Sequence, residues 1–172
     1  KILTEALPYI QKFSKKICIV KYGGAAMIEE SLKNSFARDI TLMKQVGINV
    51  AVVHGGGPQI DKELEKSNIK RNFIDGLRVT DKETIEIVSN TLDGIINKEI
   101  VDLINKNGGN SIGVAKDKKG TISVEKLTTE NIDYGYVGEV VNVDSNYLYE
   151  LMNSNYIPVI APLGYDSSGQ IY

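Results

Sequence analysis

Two glycine-rich segments, residues 21–24 and 54–58, hold the side chains and amides best suited to chemistry. They read Lys-Tyr-Gly-Gly and His-Gly-Gly-Gly-Pro, and each lies between a short apolar run and a helix-like pattern. Glycine lets the backbone approach an anion, and amides at a helix start can donate to phosphate oxygens. A neighbouring ammonium, here Lys21, can neutralise charge on a transferring phosphoryl group. The pattern indicates a phosphate site, and tight strand-to-helix connections with a solvated lysine are the plainer alternative.

Arg78 and His54 are two further candidates. Arg78 lies between an extended segment and a capped helix, where a planar guanidinium can hold a carboxylate through two parallel hydrogen bonds. A surface salt bridge with Asp75 or Asp81 would explain the same position. His54, the one histidine in the sequence, has no carboxylate or serine at the spacing of a catalytic triad, so we interpret it as a residue that shapes its loop. Neither glycine segment ends in the Gly-Lys-Ser/Thr of a Walker A loop.

The composition favours one globular domain that binds a small molecule. The chain has 172 residues, of which 42% are apolar and 24% charged, and its net charge is -2. Because both signs are interspersed, there is no basic field for nucleic acid or a membrane surface. There is no signal peptide and no apolar run of about 20 residues, and the lone Cys18 sits in an apolar run where it would pack as a small side chain. A soluble protein in a reducing compartment is therefore expected, and the family resemblance given below narrows this to the cytoplasm or the plastid stroma.

The apolar pattern predicts strands that alternate with helices. A helix is predicted over residues 2–13, kinked at or starting from Pro8. Strands are predicted at 17–20 and 49–53, and the next helix opens at Pro58 with Ile60 and Leu64 facing inward. Between the two strands a stripe of apolar residues repeats with the helical period: Ile28, Leu32, Phe36, Ile40 and Met43. Fully apolar strands joined by amphipathic helices are typical of a parallel sheet covered on both faces. The predicted fold class is α/β.

The second half of the chain shows further helix and strand signals. A capping box at residues 80–83 starts a long helix whose buried stripe is Ile85, Val88, Leu92, Ile95 or Ile96, Ile100 and Leu103, and which stops at residues 107–109. Residues 111–115 predict a strand, 117–120 a turn, 122–127 its hairpin partner and 136–143 another extended segment. Asp144 is predicted to cap a helix that runs through Met152, and residues 157–161 form the last buried strand.

Five segments together carry a family resemblance: residues 20–27, 53–60, 76–81, 97–98 and 136–140. In this order they closely resemble the acetylglutamate kinases of the amino acid kinase family, and the resemblance runs from Lys1 to Tyr172. It implies a three-layer α-β-α sandwich with a mainly parallel central sheet, like carbamate kinase. It also implies an N-terminal lobe that holds N-acetyl-L-glutamate and a C-terminal lobe, absent from this sequence, that holds ATP with Mg²⁺.

The resemblance implies a role for each site residue. It makes Lys21 the stabiliser of the transferring phosphoryl group and Arg78 the group that grips the substrate α-carboxylate. It makes the amides of Gly56 and Gly57 the binders of the substrate and the γ-phosphate, while Gly23 and Gly24 line the phosphate path. No metal ligand is expected among these residues, and no covalent intermediate is needed.

The resemblance also implies partners. It assigns residues 1–14 to a helix that joins dimers into a hexamer, with arginine as feedback inhibitor, and it extends to a nitrogen-signalling PII protein as partner. Residues 15–172 would be the acetylglutamate lobe, and because a second lysine and the nucleotide pocket lie beyond Tyr172, the 172 residues alone are expected not to catalyse. Two alternatives stay open: a relative that acts on glutamate, aspartate or an amino-modified acyl substrate, and a non-catalytic binding or regulatory module.

Overall fold

A computed structural model describes residues 2–114 and 120–172 of the chain. The helices are α1 (Ile2–Phe13), α2 (Glu30–Gln45), α3 (Gly57–Lys66), α4 (Lys82–Ser89), α5 (Lys98–Lys106) and α6 (Ser145–Asn153), with a 3-10 turn at Gly24–Met27 and a π-helical segment at Asn90–Asn97. The strands are β1 (Ile17–Tyr22), β2 (Asn49–His54), β3 (Phe73–Ile74), β4 (Leu77–Arg78), β5 (Ser111–Val114), β6 (Ile122–Lys126), β7 (Gly138–Val143) and β8 (Ile157–Ile160).

The central sheet has four parallel strands in the order β1-β2-β8-β5. Its inner strands are buried on both faces, because the adjacent residues Ala51 and Val52 are 4% and 0% exposed, and in β8 both Pro158 and Val159 are less than 2% exposed. The chain steps from β1 to β2 to β5 in one direction and then returns to β8. Since parallel crossovers are right-handed, α2 and α5 cover one face and α6 covers the other. The predicted α/β class and its three layers are confirmed.

Helix α2 buries only part of the predicted stripe. Ile40 is buried and Phe36 partly so, but Leu32 is 40% exposed and Ile28 is 62% exposed. Ile28 precedes the first helical residue, Glu30. The spacing explains the exposure of Leu32, because a four-residue step advances 400° around a helix and drifts about 40° per step from the core. The helix between the two strands is confirmed, but Ile28 lies outside it.

The long helix after Thr80 differs from the prediction in two ways. Its N-cap is Asp81, whose carboxylate accepts from the Thr84 N–H at 2.8 Å, whereas the Thr80 hydroxyl donates to the Arg78 carbonyl. The capping box was therefore placed one residue too early. The middle of the helix is π-helical, and of the two isoleucines considered there, Ile96 is buried and Ile95 is 50% exposed.

The predicted hairpin between residues 111–115 and 122–127 is wrong. Strand β6 pairs antiparallel with β7, and β5 pairs parallel with β8. The parallel pairing buries Val114 within the main sheet, next to the last strand of the chain. The predicted turn at residues 117–120 lies mostly outside the described residues.

Helices α1 and α6 test two further predictions from the sequence. Helix α1 includes Pro8 and begins at Ile2, so the alternative in which it starts at Pro8 is wrong. It leaves Leu7, Tyr9 and Phe13 exposed by 47%, 68% and 46%. The Asp144 carboxylate accepts from the Tyr147 N–H at 3.0 Å, which confirms the predicted cap of α6.

Lys44 joins the two helical layers. It lies in the last turn of α2, and its Nζ donates to the Met152 carbonyl at 2.7 Å and to Asn49 Oδ1 at 3.2 Å. Met152 is in the last turn of α6, where the carbonyls lack helical partners and attract a cation. The tie lies at the edge of the sheet where β2 begins.

Candidate active site

The two glycine turns lie side by side at the carboxyl edge of the sheet. Strands β1 and β2 pair in parallel with Tyr22 opposite His54, and the Gly55 N–H donates to the Tyr22 carbonyl at 2.9 Å. The backbone between Tyr22 and Gly24 therefore runs beside Gly55. Ligands of open α/β sheets bind at this edge. The predicted adjacency of the two turns is confirmed.

Lys21 faces away from the packed side of β1. Its neighbour Tyr22 is buried, stacks on the Phe36 ring at 3.7 Å and donates its hydroxyl to the Ala26 carbonyl at 2.8 Å. Because adjacent strand residues point to opposite faces, this anchor turns Lys21 outward. Within residues 2–114 and 120–172 the exposed Lys21 ammonium has no hydrogen-bond or ion-pair partner. It is free to meet an anion.

The glycines of the two turns serve different needs. A Cβ on Gly56 would lie 2.5 Å from Ile96 Cδ1 and 2.9 Å from Leu92 Cδ2, so Gly56 allows the turn to pack against the π-helical segment. A Cβ on Gly23, Gly24 or Gly57 would meet nothing within 4 Å. Gly24 has φ +65°, which favours glycine on conformational grounds. Gly57 has no such constraint, and the space in front of it is open.

The start of α3 presents free amides beside this space. Gly56 is the N-cap and has no side chain to cap the helix, and its carbonyl accepts from the Ile60 N–H at 2.9 Å. The first amides of a helix have no partner within it, and they carry the positive end of the helix dipole. Pro58 has no N–H, which leaves the amides of Gly57 and Gln59 for an external acceptor. This end of α3 can receive an anion.

Arg78 is anchored to α3 by an ion pair that the sequence analysis did not identify. Its Nη2 donates to Asp61, which lies four residues beyond Gly57, and its guanidinium lies 4.5 Å from the centre of the Phe73 ring. The predicted alternatives, Asp75 and Asp81, are not its partners. Burial acts most strongly on Asp61 and raises its pKa, but the bonds and charges of Arg78 and Arg71 outweigh it and hold that pKa below its usual value.

One nitrogen of Arg78 is left without a partner. Nη1 is buried and has no hydrogen bond within the described part of the chain, and the side chain as a whole is 13% exposed. An unpaired buried donor costs about 1–3 kcal/mol. An oxyanion that accepted from Nη1 would remove this cost. No bond joins Arg78 to Lys21 or to the glycine turns in the described structure, so a ligand would have to bridge them.

His54 occupies the interior beneath the second turn, in agreement with a shaping role. It is 2% exposed, its Nδ1 lies 2.9 Å from the Gly55 carbonyl, and its Nε2 lies 3.1 Å from Asn97 Nδ2. Sequence reasoning gave Asn97 no role. The one available signal was a polar residue in the buried stripe of a long helix, where a side-chain amide needs a partner.

The fold and this edge can now be set beside known proteins. The family model for the amino acid kinase family matches residues 16–172. The chain belongs to the amino acid kinase family.

The chain is also similar to individual proteins along its whole length. It is 52% identical over 177 residues to the acetylglutamate kinase of Ruthia magnifica subsp. Calyptogena magnifica, covering 99% of this chain and 60% of that protein. It is 51% identical over 182 residues to the acetylglutamate kinase of Saccharophagus degradans, covering 100% of this chain and 61% of that protein. The chain thus spans about three fifths of the length of these relatives.

Solved structures agree on the fold. The crystal structure of smu.665 from Streptococcus mutans UA159 superposes with a TM-score of 0.81 at 30% identity, covering 90% of this chain and 62% of that one. An N-acetylglutamate synthase from Neisseria gonorrhoeae, complexed with coenzyme A and N-acetyl-glutamate, superposes with a TM-score of 0.84 at 20% identity, covering 99% of this chain and 39% of that one. At that identity the second match supports the fold alone.

Two kinds of feature are missing from the residues that the structure describes. No helix in residues 2–114 and 120–172 is both long and apolar enough to cross a membrane. Over the same residues, no group of three or more His, Cys, Asp or Glu side chains is arranged to hold a metal ion.

Proposed function

We propose that the complete protein transfers the γ-phosphoryl group of ATP to the side-chain carboxylate of N-acetyl-L-glutamate, a step of arginine biosynthesis. The observation that carries this proposal is the identity of about half, over essentially the whole chain, to proteins named acetylglutamate kinase. The free Lys21 ammonium and the open space at Gly57 support it, because both are needed where a phosphoryl group is transferred.

The proposed reaction requires that the two reacting groups are held in place and that negative charge on the transferred phosphoryl group is neutralised. A carboxylate oxygen of the substrate attacks the γ-phosphorus, the bond from that phosphorus to the bridging oxygen breaks, and ADP leaves. The amides of Gly56 and Gly57 donate to the phosphoryl and substrate oxygens, and Gly23 and Gly24 line the path of the phosphates. Lys21 neutralises negative charge that builds on the transferred group. The two reacting groups are held in line, so no covalent enzyme intermediate forms.

Arg78 provides the substrate contact. Its buried, unpartnered Nη1 is suited to the α-carboxylate of acetylglutamate, and Asp61 and Phe73 hold the guanidinium in place. A charge-assisted bond of this kind is stronger than a neutral one. By holding the α-carboxylate, Arg78 thereby positions the substrate and with it the side-chain carboxylate that reacts.

In this proposal Mg²⁺ is bound together with ATP. The described residues offer no cluster of carboxylates to hold it, and Mg²⁺ in kinases is commonly bound through substrate phosphates. No step is assigned to the ion here.

The test uses the complete protein with ATP and either acetylglutamate or free glutamate, and traps the acyl phosphate as its hydroxamate. We expect hydroxamate from acetylglutamate and little from glutamate. Lys21→Ala should lower kcat at least tenfold with smaller changes in either KM, since the contact tightens as charge develops. Lys62→Ala, at an exposed position of α3, is the matched control. Preference for another acceptor, or an unchanged kcat for Lys21→Ala, would contradict the proposal.

We further propose that α1 makes a contact between subunits, which would assemble dimers into a hexamer that arginine inhibits. The supporting observation is the exposure of Leu7, Tyr9 and Phe13 on this helix. Apolar side chains exposed together favour association with another surface.

A further inference from the structure

A chain of buried polar groups runs from the sheet to the second glycine turn. Asn97 Nδ2 lies 2.9 Å from the Val159 carbonyl and 3.1 Å from His54 Nε2, and His54 Nδ1 lies 2.9 Å from the Gly55 carbonyl. His54 and Asn97 are 2% and 3% exposed. Bulk water therefore does not reach these side chains, and their hydrogen bonds are made within the group.

The chemistry of the partners fixes where the imidazole proton lies. The Val159 carbonyl can only accept, so the Asn97 atom facing it must be the amide nitrogen, and that nitrogen is a donor. The same nitrogen faces His54 Nε2, which must then be an acceptor without a proton. A neutral imidazole carries its proton on the other nitrogen. His54 Nδ1 therefore donates to the Gly55 carbonyl.

The π-helical segment holds Asn97 in place. Asn97 is its last residue, and a Cβ on Gly113 of β5 would lie 2.2 Å from Asn97 Oδ1, so the amide fills the space that this glycine leaves. The same segment packs Leu92 and Ile96 against Gly56. Widened π turns occur often at functional sites. Here one segment both supports the glycine turn and orients the histidine beneath it.

We propose that His54 is a positioning residue: neutral, with its proton on Nδ1, it holds the Gly55 carbonyl and thereby aims the Gly56 N–H at the anion. The peptide between Gly55 and Gly56 is planar and trans, so its C=O and N–H point in opposite directions. With the carbonyl bound to the buried imidazole, the N–H is directed away from the interior. The identity of the anion, a phosphoryl or substrate oxygen, rests on the proposed function.

Burial acts in the same sense as this geometry. Burial, the strongest effect, lowers the pKa of His54, while the bond to Gly55 and the negative charge of Asp93 oppose it. A second proton would fall on Nε2 and would face the Asn97 amide donor. The neutral form is the one that keeps the chain of bonds intact.

The first test is spectroscopic and needs no activity. In the complete protein labelled with ¹⁵N-histidine, the His54 signals are those that vanish in His54→Asn. We expect a protonated Nδ1 and a bare Nε2 at neutral pH. A proton on Nε2, or an imidazolium, would overturn the inference.

The second test compares two replacements. His54→Asn keeps an N–H donor near the position of Nδ1, whereas His54→Gln keeps an amide near Nε2 and leaves the Gly55 carbonyl without a donor. We expect the kcat of phosphoryl transfer to fall at least tenfold further in His54→Gln than in His54→Asn, with similar urea midpoints. Equal kcat values, or the reverse order, would mean that His54 serves packing alone.

A third variant covers the case in which His54→Gln does not fold. Asn97→Leu has a similar volume but cannot donate to Nε2, and we expect it to release the tautomer, so that Nε2 becomes partly protonated. If the His54 proton remained wholly on Nδ1 in this variant, Asn97 would not be the residue that sets the tautomer. If the complete protein folds with the expected tautomer but phosphorylates no acetylglutamate, the proposed function fails while the orientation of His54 stands.

Discussion

Alanine at the two neighbouring glycines, Gly56 and Gly57, separates a packing role from a ligand role. In Gly56→Ala the new methyl would lie 2.5 Å from Ile96 and 2.9 Å from Leu92, and both side chains are buried, at 2% and 3% exposure. Neither can move into solvent. Overpacking of this kind costs about 1–3 kcal/mol of unfolding free energy.

Gly57→Ala is expected to stabilise the fold and to impair ligand binding. Its methyl would meet nothing within 4 Å, and Gly57 begins α3 without a positive φ, so alanine should stabilise the fold by about 0.4–1 kcal/mol through the unfolded chain. The same methyl would project into the space assigned to a phosphoryl or substrate oxygen. We expect at least a tenfold loss of kcat/KM despite the gain in stability.

Urea unfolding and initial-rate kinetics on the complete protein check both expectations. With a denaturant slope of about 2 kcal/mol per molar, a cost of about 2 kcal/mol shifts the midpoint of Gly56→Ala by about 1 M, while Gly57→Ala shifts slightly the other way. Normal kcat/KM in Gly57→Ala would show that no ligand approaches this amide. A stable Gly56→Ala would show that the π-helical segment yields easily.

Three further predictions follow from other parts of the molecule. Arg78→Lys should raise the KM for acetylglutamate by about 10- to 100-fold, which corresponds to the loss of a hydrogen bond between charged groups, and should change the KM for ATP little. Arg71→Lys is the control, because Arg71 shares the partner Asp61 but its side chain is 52% exposed. An unchanged KM for acetylglutamate in Arg78→Lys would contradict the assignment. Burial lowers the pKa of His54 in the folded protein, so below about pH 6.5 the unfolded chain binds a proton that the folded chain does not. The unfolding free energy should therefore fall with decreasing pH by up to about 1.4 kcal/mol per pH unit. Urea titrations at several pH values should show a smaller pH dependence in His54→Asn, and an identical pH dependence would refute the prediction. Deletion of residues 1–14 should leave dimers by light scattering and weaken arginine inhibition, and hexamers after the deletion would exclude α1 as the contact.

Local patterns predicted the edge of the sheet that carries the candidate site. Apolar strands ending in glycine require no knowledge of distant partners, because the carboxyl ends of neighbouring parallel strands meet at one edge. The cap of α6 by Asp144 was predicted for a similar reason, since the donor and acceptor are three residues apart. Lys21 and both glycine turns therefore followed from the sequence.

Features that depend on distant partners did not follow. Residues 111–114 and 122–126 are close in sequence, which suggested a hairpin. Strand β5 instead pairs with β8, and the paired residues Ser111 and Ile157 are more than forty positions apart in the sequence. The partner of Arg78 is Asp61, in a different helix, rather than the carboxylates nearest in sequence. The π-helical segment keeps an apolar stripe like that of an α-helix, so periodicity gave no sign of it or of the role of Asn97.

Lys44 makes the two edges of the sheet mechanically unequal. At the edge where β2 begins, one ammonium fastens α2 to the end of α6, so the outer layers are pinned to each other there. At the opposite edge, Asn97 of the π-helical segment bonds to the sheet through His54 and the Val159 carbonyl, and these bonds do not join the two outer layers to each other. Small relative rotations of the layers should pivot about Lys44 and be largest at the glycine turns. The candidate site would then widen or narrow while the far edge stays still.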